Sequence, residues 1–299
     1  MSQIRFDGKT VIVTGGGGGL GSAHAKLFAA RGANVVVNDL GGDVTGGGQG
    51  TSMADKVVEA IRAAGGKAIA SYESVTEMSS AQAIIETAKK AFGGVHILIN
   101  NAGILRDTSF KNMTEDDWDA VFKVHVKGAF CMSKAAWDTM REQNYGRIIM
   151  TSSAAGIYGN FGQANYSAAK MALVGFGQTL ALEGLKNNVL TNIICPVAAS
   201  RMTETILPPE VLAKLNPSSV SALVAYLCSD QSTENGSVFE AGAGRYFHIK
   251  WASGTGYRSS AADGLATIEE IRDHFAATKD LSRPKLMNGI SDSLNAFMA

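Results

Sequence analysis

The chain has 299 residues, 45% of them hydrophobic, and sets 27 lysines and arginines against 27 aspartates and glutamates. That composition can bury the core of one α/β domain carrying an appendage, and without a dense run of either charge it excludes a nucleic-acid groove or a polybasic membrane patch. Three scattered cysteines, Cys131, Cys195 and Cys228, form neither a disulfide framework nor a metal knot, so the chain is expected to bind no metal and to work in a reducing compartment.

In chain order, short β-branched runs alternate with helical patterns. The runs are KTVIVT (9–14), NVVVND (34–39), KAIASY (67–72), VHILIN (95–100), GRIIMTSS (146–153) and VLTNIIC (189–195). Between them, stretches such as LGSAHAKLFAARG and SAQAIIETAKKAFGG have helical length and close in glycine, as a C-cap would. This rhythm predicts a doubly wound parallel sheet covered on both faces. Thr114 followed by Asp117 reads as the capping box of a long helix. Beyond about residue 240 the rhythm breaks, so the domain is expected over 1–240 and a small C-terminal extension packed on it over 241–299.

The first strand runs into TGGGGGLG (14–21) before a helix. Glycines there let a backbone approach a pyrophosphate, whose charge meets free N–H groups and the positive end of the helix dipole. Five consecutive glycines fit two patterns, one using Gly16, Gly18 and Gly21, the other Thr14, Gly15, Gly19 and Gly21, and spacing does not choose between them. Asp39 closes the second strand, where an acid can accept hydrogen bonds from an adenosine ribose. A carboxylate there repels the extra phosphate of NADP by roughly 4 kcal/mol at ~4 Å and an effective dielectric near 20, so NAD is expected. The glycine-rich stretch LGGDVTGGGQGTS (40–52) exceeds most connections of its kind and is either a flexible ornament or a functional lip.

Tyr166 and Lys170 in YSAAK stand four apart on a helical pattern and so share a face. The same spacing recurs at Tyr246 and Lys250 in RYFHIKW, but the alternation there is strand-like and separates the two groups. A phenol needs a shift of about 3 units to act near neutrality, and one close ammonium can supply roughly that.

Together TGGGGGLG, Asp39, NNAG (100–103), Ser153, YSAAK and the Pro196 loop resemble the short-chain dehydrogenase/reductase family over about residues 5–240. The resemblance implies a Rossmann-like fold with Ser153 holding the substrate oxygen, Tyr166 as general acid/base, and Lys170 binding nicotinamide ribose while depressing the tyrosine. It selects the second glycine pattern and implies cofactor contacts from Gly15, Gly19, Leu20, Gly21, Asp39, Ser74, Val75, Asn101, Tyr166, Lys170, Pro196 and Thr203. VHVKG (124–128) puts His125 where most members carry the asparagine of a catalytic tetrad, and Pro196-Val197 replaces the usual Pro-Gly.

RFDGKTVIVTGG, VVVNDLGGD, NAGILRD, SRMT and the tail FEAGAGRYFHIKW are closer still to the dehydrogenase branch found in peroxisomal multifunctional enzymes. That likeness implies NAD-dependent oxidation of a (3R)-hydroxyacyl-CoA by a homodimer. Rival readings are a 3-oxoacyl-[acyl-carrier-protein] reductase, a hydroxysteroid dehydrogenase and a non-catalytic dinucleotide sensor. Neither signal segment nor membrane span is read in the sequence. A cytoplasmic location is expected, peroxisomal only for an excised unit of a larger protein.

Overall fold

The computed structural model describes residues 3–198, 210, 214–261 and 264–298. These divide into two compact units, residues 1–248 and 249–299. Residue 240, where the sequence rhythm ends, lies inside a strand of the first unit.

Six predicted runs form strands: β1 (Thr10–Thr14), β2 (Asn34–Asn38), β3 (Lys67–Ser71), β4 (Ile97–Asn100), β5 (Gly146–Thr151) and β6 (Val189–Val197). Two more strands follow, β7 (Val238–Gly242), which the periodicity did not mark, and β8 (Arg245–Ile249), where the strand-like alternation of RYFHIKW lies. The sheet order is β3-β2-β1-β4-β5-β6-β7-β8, with β1 through β7 paired in parallel. Ala243 (φ 48) and Gly244 (φ 74) alone join β7 to β8, the two positive φ values of a hairpin turn that matches strand twist.

Strands β1, β4 and β5 are buried along their whole length because both faces are covered. Alternate residues Val11, Val13, Val35 and Val37 pack with Phe28 of α1 (Gly19–Ala30), Val57 and Ile61 of α2 (Ser52–Ala63), and Val220 and Val224 further on. The intervening Ile12, Val36, Leu98 and Ile148 are equally inaccessible and point to the other face by the two-residue period of a strand. That side carries α3 (Met78–Phe92), α4 (Glu115–Phe122), α5 (Gly128–Glu142), the short α6 (Ala154–Tyr158) and α7 (Ala164–Gly184). Helix α8 (Pro217–Leu227) packs on α1.

The capping box is present: the Thr114 hydroxyl accepts from Asp117 N–H at 3.1 Å and donates to its carboxylate at 2.7 Å. Helix α4 does not run uniformly into α5. A π turn at Lys123–Lys127 joins them, an inserted residue that rotates the helix face locally.

The second unit pairs β9 (Trp251–Ser253) antiparallel with β10 (Lys285–Met287) and adds α9 (Ile268–Thr278) and α10 (Ile290–Met298). The Tyr246-Lys250 spacing brings no pair together: Tyr246 bonds the Ser219 carbonyl and Lys250 the Asn288 side chain.

Candidate functional site

Chain order reverses between β1 and β4, and the crevice at the carboxyl ends of such strands is where a parallel sheet leaves room for a ligand. A cleft of about 730 Å³ opens there. It is lined by Gly15, Gly19, Leu20, Gly21, Asp39, Ser74, Val75, Asn101, Ser153, Tyr166, Lys170, Pro196 and His125, which gathers every expected site residue except Thr203. Thr203 lies outside the described residues.

The glycine loop resolves the two patterns. Gly15 (φ 63) and Gly19 (φ 48) adopt left-handed backbone, whereas Gly16 and Gly18 do not. Thr14 anchors the turn from beneath, accepting from Asn101 N–H (3.0 Å) and Ala102 N–H (3.1 Å) and donating to the Ile99 carbonyl (3.2 Å). A Cβ on Gly15 would stand 2.9 Å from Ala102 Cα, and one on Gly21 would meet the Gly15 carbonyl and, at 2.7 Å, Asn101 Nδ2. Asn101 itself donates to the carbonyls of Thr14 (3.0 Å) and Gly15 (3.1 Å). The loop is thus packed so closely that only hydrogen fits, and its surface is backbone at the start of α1, the donor set an anionic pyrophosphate requires.

Asp39 stands at the end of β2 with both carboxylate oxygens engaged: Oδ2 accepts from Gly17 N–H and Oδ1 from Gly41 N–H, each at 2.8 Å. Each oxygen keeps a lone pair for a ribose hydroxyl. The following loop forms a wall of the cleft through Leu40, Gly42, Asp43, Val44 and Gly46, so it is a lip. Asp43 Oδ1 shapes it by accepting from Thr45 N–H (2.8 Å), the Thr45 hydroxyl (2.7 Å) and Gly47 N–H (3.0 Å). Leu105 N–H donates to the Val44 carbonyl (2.8 Å) and Arg106 Nε to the Thr45 carbonyl (2.7 Å).

On the opposite wall, Ser153 follows β5 by two residues and caps α6, its hydroxyl accepting from Ala155 N–H at 3.2 Å. Tyr166 and Lys170 lie on the first turns of α7. Lys170 is buried, and its Nζ donates to the Thr151 carbonyl at 2.6 Å and stands 5.4 Å from the centre of the Tyr166 ring. Burial brings the Lys170 ammonium down to about 7, with the Cys195 thiol opposing. The expected depression of Tyr166 is not what the polypeptide produces. Burial pushes its hydroxyl up to about 12, the Ser153 hydrogen bond works in the other direction, and the Asp107 carboxylate adds to the rise. The cost of a buried phenolate exceeds what the Ser153 hydrogen bond returns.

His125 occupies the π turn. It is buried, its ring stands edge-on to Tyr166 with centroids 5.4 Å apart, and its Nε2 lies 3.0 Å from Ile104 N and 2.8 Å from Ile104 O. Burial and the nearby Lys170 charge bring its pKa down to about 3, so the imidazole is neutral at ordinary pH.

The cleft also uses residues that sequence patterns did not single out, among them Ile104, Leu105, Tyr158 and Gln163. Gln163 donates to the Asp107 carboxylate at 2.6 Å and accepts from Asn160 at 2.9 Å. Asp107 and Gln163 stand 56 positions apart in the chain, so no local pattern links them.

Residues 9–209 match the family described as short chain dehydrogenase. The chain belongs to that family. A peroxisomal multifunctional enzyme A from Dictyostelium discoideum is 52% identical over 298 residues, covering 99% of this chain and 66% of that protein. Full-length peroxisomal multifunctional enzyme type 2 from Drosophila melanogaster superposes with a TM-score of 0.83 at 41% identity, over 99% of this chain and 49% of the other. A 7α-hydroxysteroid dehydrogenase, solved with NADH and 7-oxo glycochenodeoxycholic acid, gives a TM-score of 0.72 at 27% identity over 80% of this chain and 95% of its own. This short-chain dehydrogenase therefore spans less than two thirds of the length of the multifunctional proteins it matches. Among the described residues, no helix is long and apolar enough to cross a membrane.

Proposed function

We propose that this short-chain dehydrogenase oxidises (3R)-hydroxyacyl-CoA thioesters with NAD, as one unit of fatty-acid β-oxidation. One observation carries the chemistry: Ser153, Tyr166 and Lys170 form one wall of the cleft whose other end is the glycine loop and Asp39. The substrate class is supported by the likeness to multifunctional peroxisomal enzymes along 99% of the chain.

A bound oxidised nicotinamide dinucleotide supplies the hydride acceptor and a positive ring charge beside the tyrosine. Gly15, Gly19, Leu20 and Gly21 would hold its pyrophosphate, Asp39 its adenosine ribose, Ser74, Val75 and Asn101 the adenosine side and neighbouring linkage, and Pro196 and Thr203 the nicotinamide side. Lys170 keeps two N–H groups beyond its bond to Thr151 and directs them to the second ribose. Burial alone keeps the Tyr166 phenol protonated, so it would take the hydroxyl proton as the phenolate that the nicotinamide charge favours, while Ser153 would donate to the oxygen as it becomes a carbonyl. The carboxylate at Asp39 favours NAD over NADP.

Two copies pair through α5 and α7, whose outer surfaces expose Phe130 and Leu182, with Leu185 exposed just beyond the end of α7. All three cysteines are buried and unpaired, which suits a reducing compartment such as the cytoplasm.

Both epimers of a medium-chain 3-hydroxyacyl-CoA are to be offered with saturating NAD, beside the carrier-protein thioester and a hydroxysteroid, following reduced nicotinamide absorbance. The (3R) epimer is expected to react alone. Ser153 and Tyr166 fix the oxygen and the nicotinamide fixes the hydride direction, so the other epimer must exchange acyl tail and thioester, a misplacement that costs on the order of 100-fold. Equal rates on the epimers, or faster turnover of either alternative substrate, would overturn the proposal.

A further inference from the structure

Behind the catalytic wall, two polar atoms are buried without a protein partner: Nδ1 of His125 and Oδ1 of Asn100. Both residues line a second, small cavity of about 10 Å³ that shares Val75 and His125 with the cleft and reaches beyond it to Asn100, Ala129 and Leu173. Thr14 also borders it, but the Thr14 hydroxyl is already committed to three bonds. The space is about that of one water probe, and a buried water requires at least two polar partners, which these two orphaned atoms provide.

Hydrogen-bond chemistry orders the protons. The amide nitrogen of Asn100 donates to the Ser133 hydroxyl at 3.1 Å, so the free atom is the carbonyl oxygen, which can only accept. Nε2 of His125 faces both the N–H and the C=O of Ile104, at 3.0 and 2.8 Å, and a neutral ring can serve only one of them. A buried N–H without a partner is the rarer and costlier omission. Nε2 therefore accepts from Ile104 N–H, and the ring proton sits on Nδ1. The chain then closes: Nδ1–H donates to the water, and the water donates to Asn100.

We propose that His125 is a positioning residue, held as the neutral Nδ1–H tautomer by one buried water shared with Asn100. It acts at two places from behind the site. Through Ile104 it fixes the segment 101–105 that lines the cleft, and through its ring edge it braces the face of Tyr166. The ring fits because Gly103 has no side chain, since a Cβ there would collide with His125 Cε1. The π turn supplies the local rotation that carries the histidine inward.

The effect on turnover rests on the dehydrogenase reading above, whereas the tautomer and the water do not. Nitrogen-15 NMR of histidine-labelled protein is expected to show one of the five histidines, absent from the spectrum of His125→Asn, with a protonated Nδ1 and a bare Nε2. Its signal should not titrate from about pH 5 to about pH 8, where an ordinary histidine would. A high-resolution crystal structure should place one water within hydrogen-bond reach of both orphaned atoms. An Nε2–H tautomer, a titrating ring or a dry cavity would overturn the proposal. His125→Asn, which can satisfy both groups of Ile104, should keep kcat within about fivefold, while His125→Phe should lose about tenfold to a hundredfold in kcat with its KM for NAD little changed. Undiminished kcat in His125→Phe would sink the positioning role. Wild-type protein without dehydrogenase activity would sink the functional reading and leave the NMR result to decide the tautomer.

Discussion

Lys170 reaches back from α7 to the end of β5, where its Nζ donates to the carbonyl of Thr151 at 2.6 Å. That bond pins the ammonium two residues from Ser153 and one helical turn from Tyr166, so strand and helix hold the three polar groups in fixed relation. It also keeps the ammonium 5.4 Å from the centre of the phenol ring, while burial dominates the titration of Tyr166.

Replacing Tyr166 by phenylalanine removes the proton acceptor and leaves the ring that His125 braces. Turnover is expected to be abolished, with NAD affinity measured by fluorescence titration largely retained. If more than about a tenth of wild-type kcat survived, less than ~1.4 kcal/mol of barrier would depend on the hydroxyl and the assigned role would be wrong.

For Asp39→Ala, the ratio of kcat/KM for NAD to that for NADP is expected to fall by about two orders of magnitude, equivalent to ~2.7 kcal/mol. The same change frees the N–H groups of Gly17 and Gly41, so Asp39→Asn, which keeps an acceptor oxygen, is the companion variant. Unaltered preference in both would remove Asp39 from the ribose site.

Gly21→Ala tests the cradle by sterics alone. The added methyl meets the Gly15 carbonyl and Asn101 Nδ2, both held by other bonds, so the loop must shift. Overpacking of this kind costs about 1–3 kcal/mol, to be read as a lowered urea midpoint together with weaker NAD binding. A variant with wild-type values for both would show that the loop has slack.

Acid lability follows from two histidines far apart in the fold. His24, bonded to the Ser221 hydroxyl at 2.8 Å, and His125 are each brought from 6.5 to about 3 by burial. Between those values the unfolded chain binds protons that the folded chain refuses. Their contribution is fully present above about pH 6.5 and is lost as pH falls towards 3. At pH 5 each should remove on the order of 2 kcal/mol, and urea midpoints across this range should fall less steeply in His24→Gln than in the wild type. Equal slopes would mean that His24 is protonated in the folded state.

Much of the architecture was readable because β-strands buried on both faces leave continuous apolar runs, as in KTVIVT and GRIIMT, that helices cannot imitate when glycine turns bound them. Strand β7 escaped because it carries mixed polar and apolar residues, and β8 showed only as the local alternation of RYFHIKW. Phe239 packs on the core only partly, and Tyr246 and Phe247 are exposed. At the site, residues whose role follows from local backbone, such as Gly15 and Thr14, were legible in a motif. The loop 40–52 was readable only as a long connection, because its function as a lip depends on bonds to Leu105 and Arg106 some sixty residues away. Burial, likewise, has no short-range signature, so the direction of the Tyr166 titration could not be read from its distance to Lys170 along the chain.

Those bonds from Leu105 to Val44 and from Arg106 to Thr45 weld the loop after β2 to the loop after β4. The first begins at the acid proposed to read the cofactor, and the second leads into the wall beneath Tyr166. Exchange of one loop for that of a relative would put at risk both bonds, one between main chains and one from the Arg106 side chain to a main-chain carbonyl. Recombination between dehydrogenases should therefore succeed when both loops are inherited as a pair and fail when a crossover separates them.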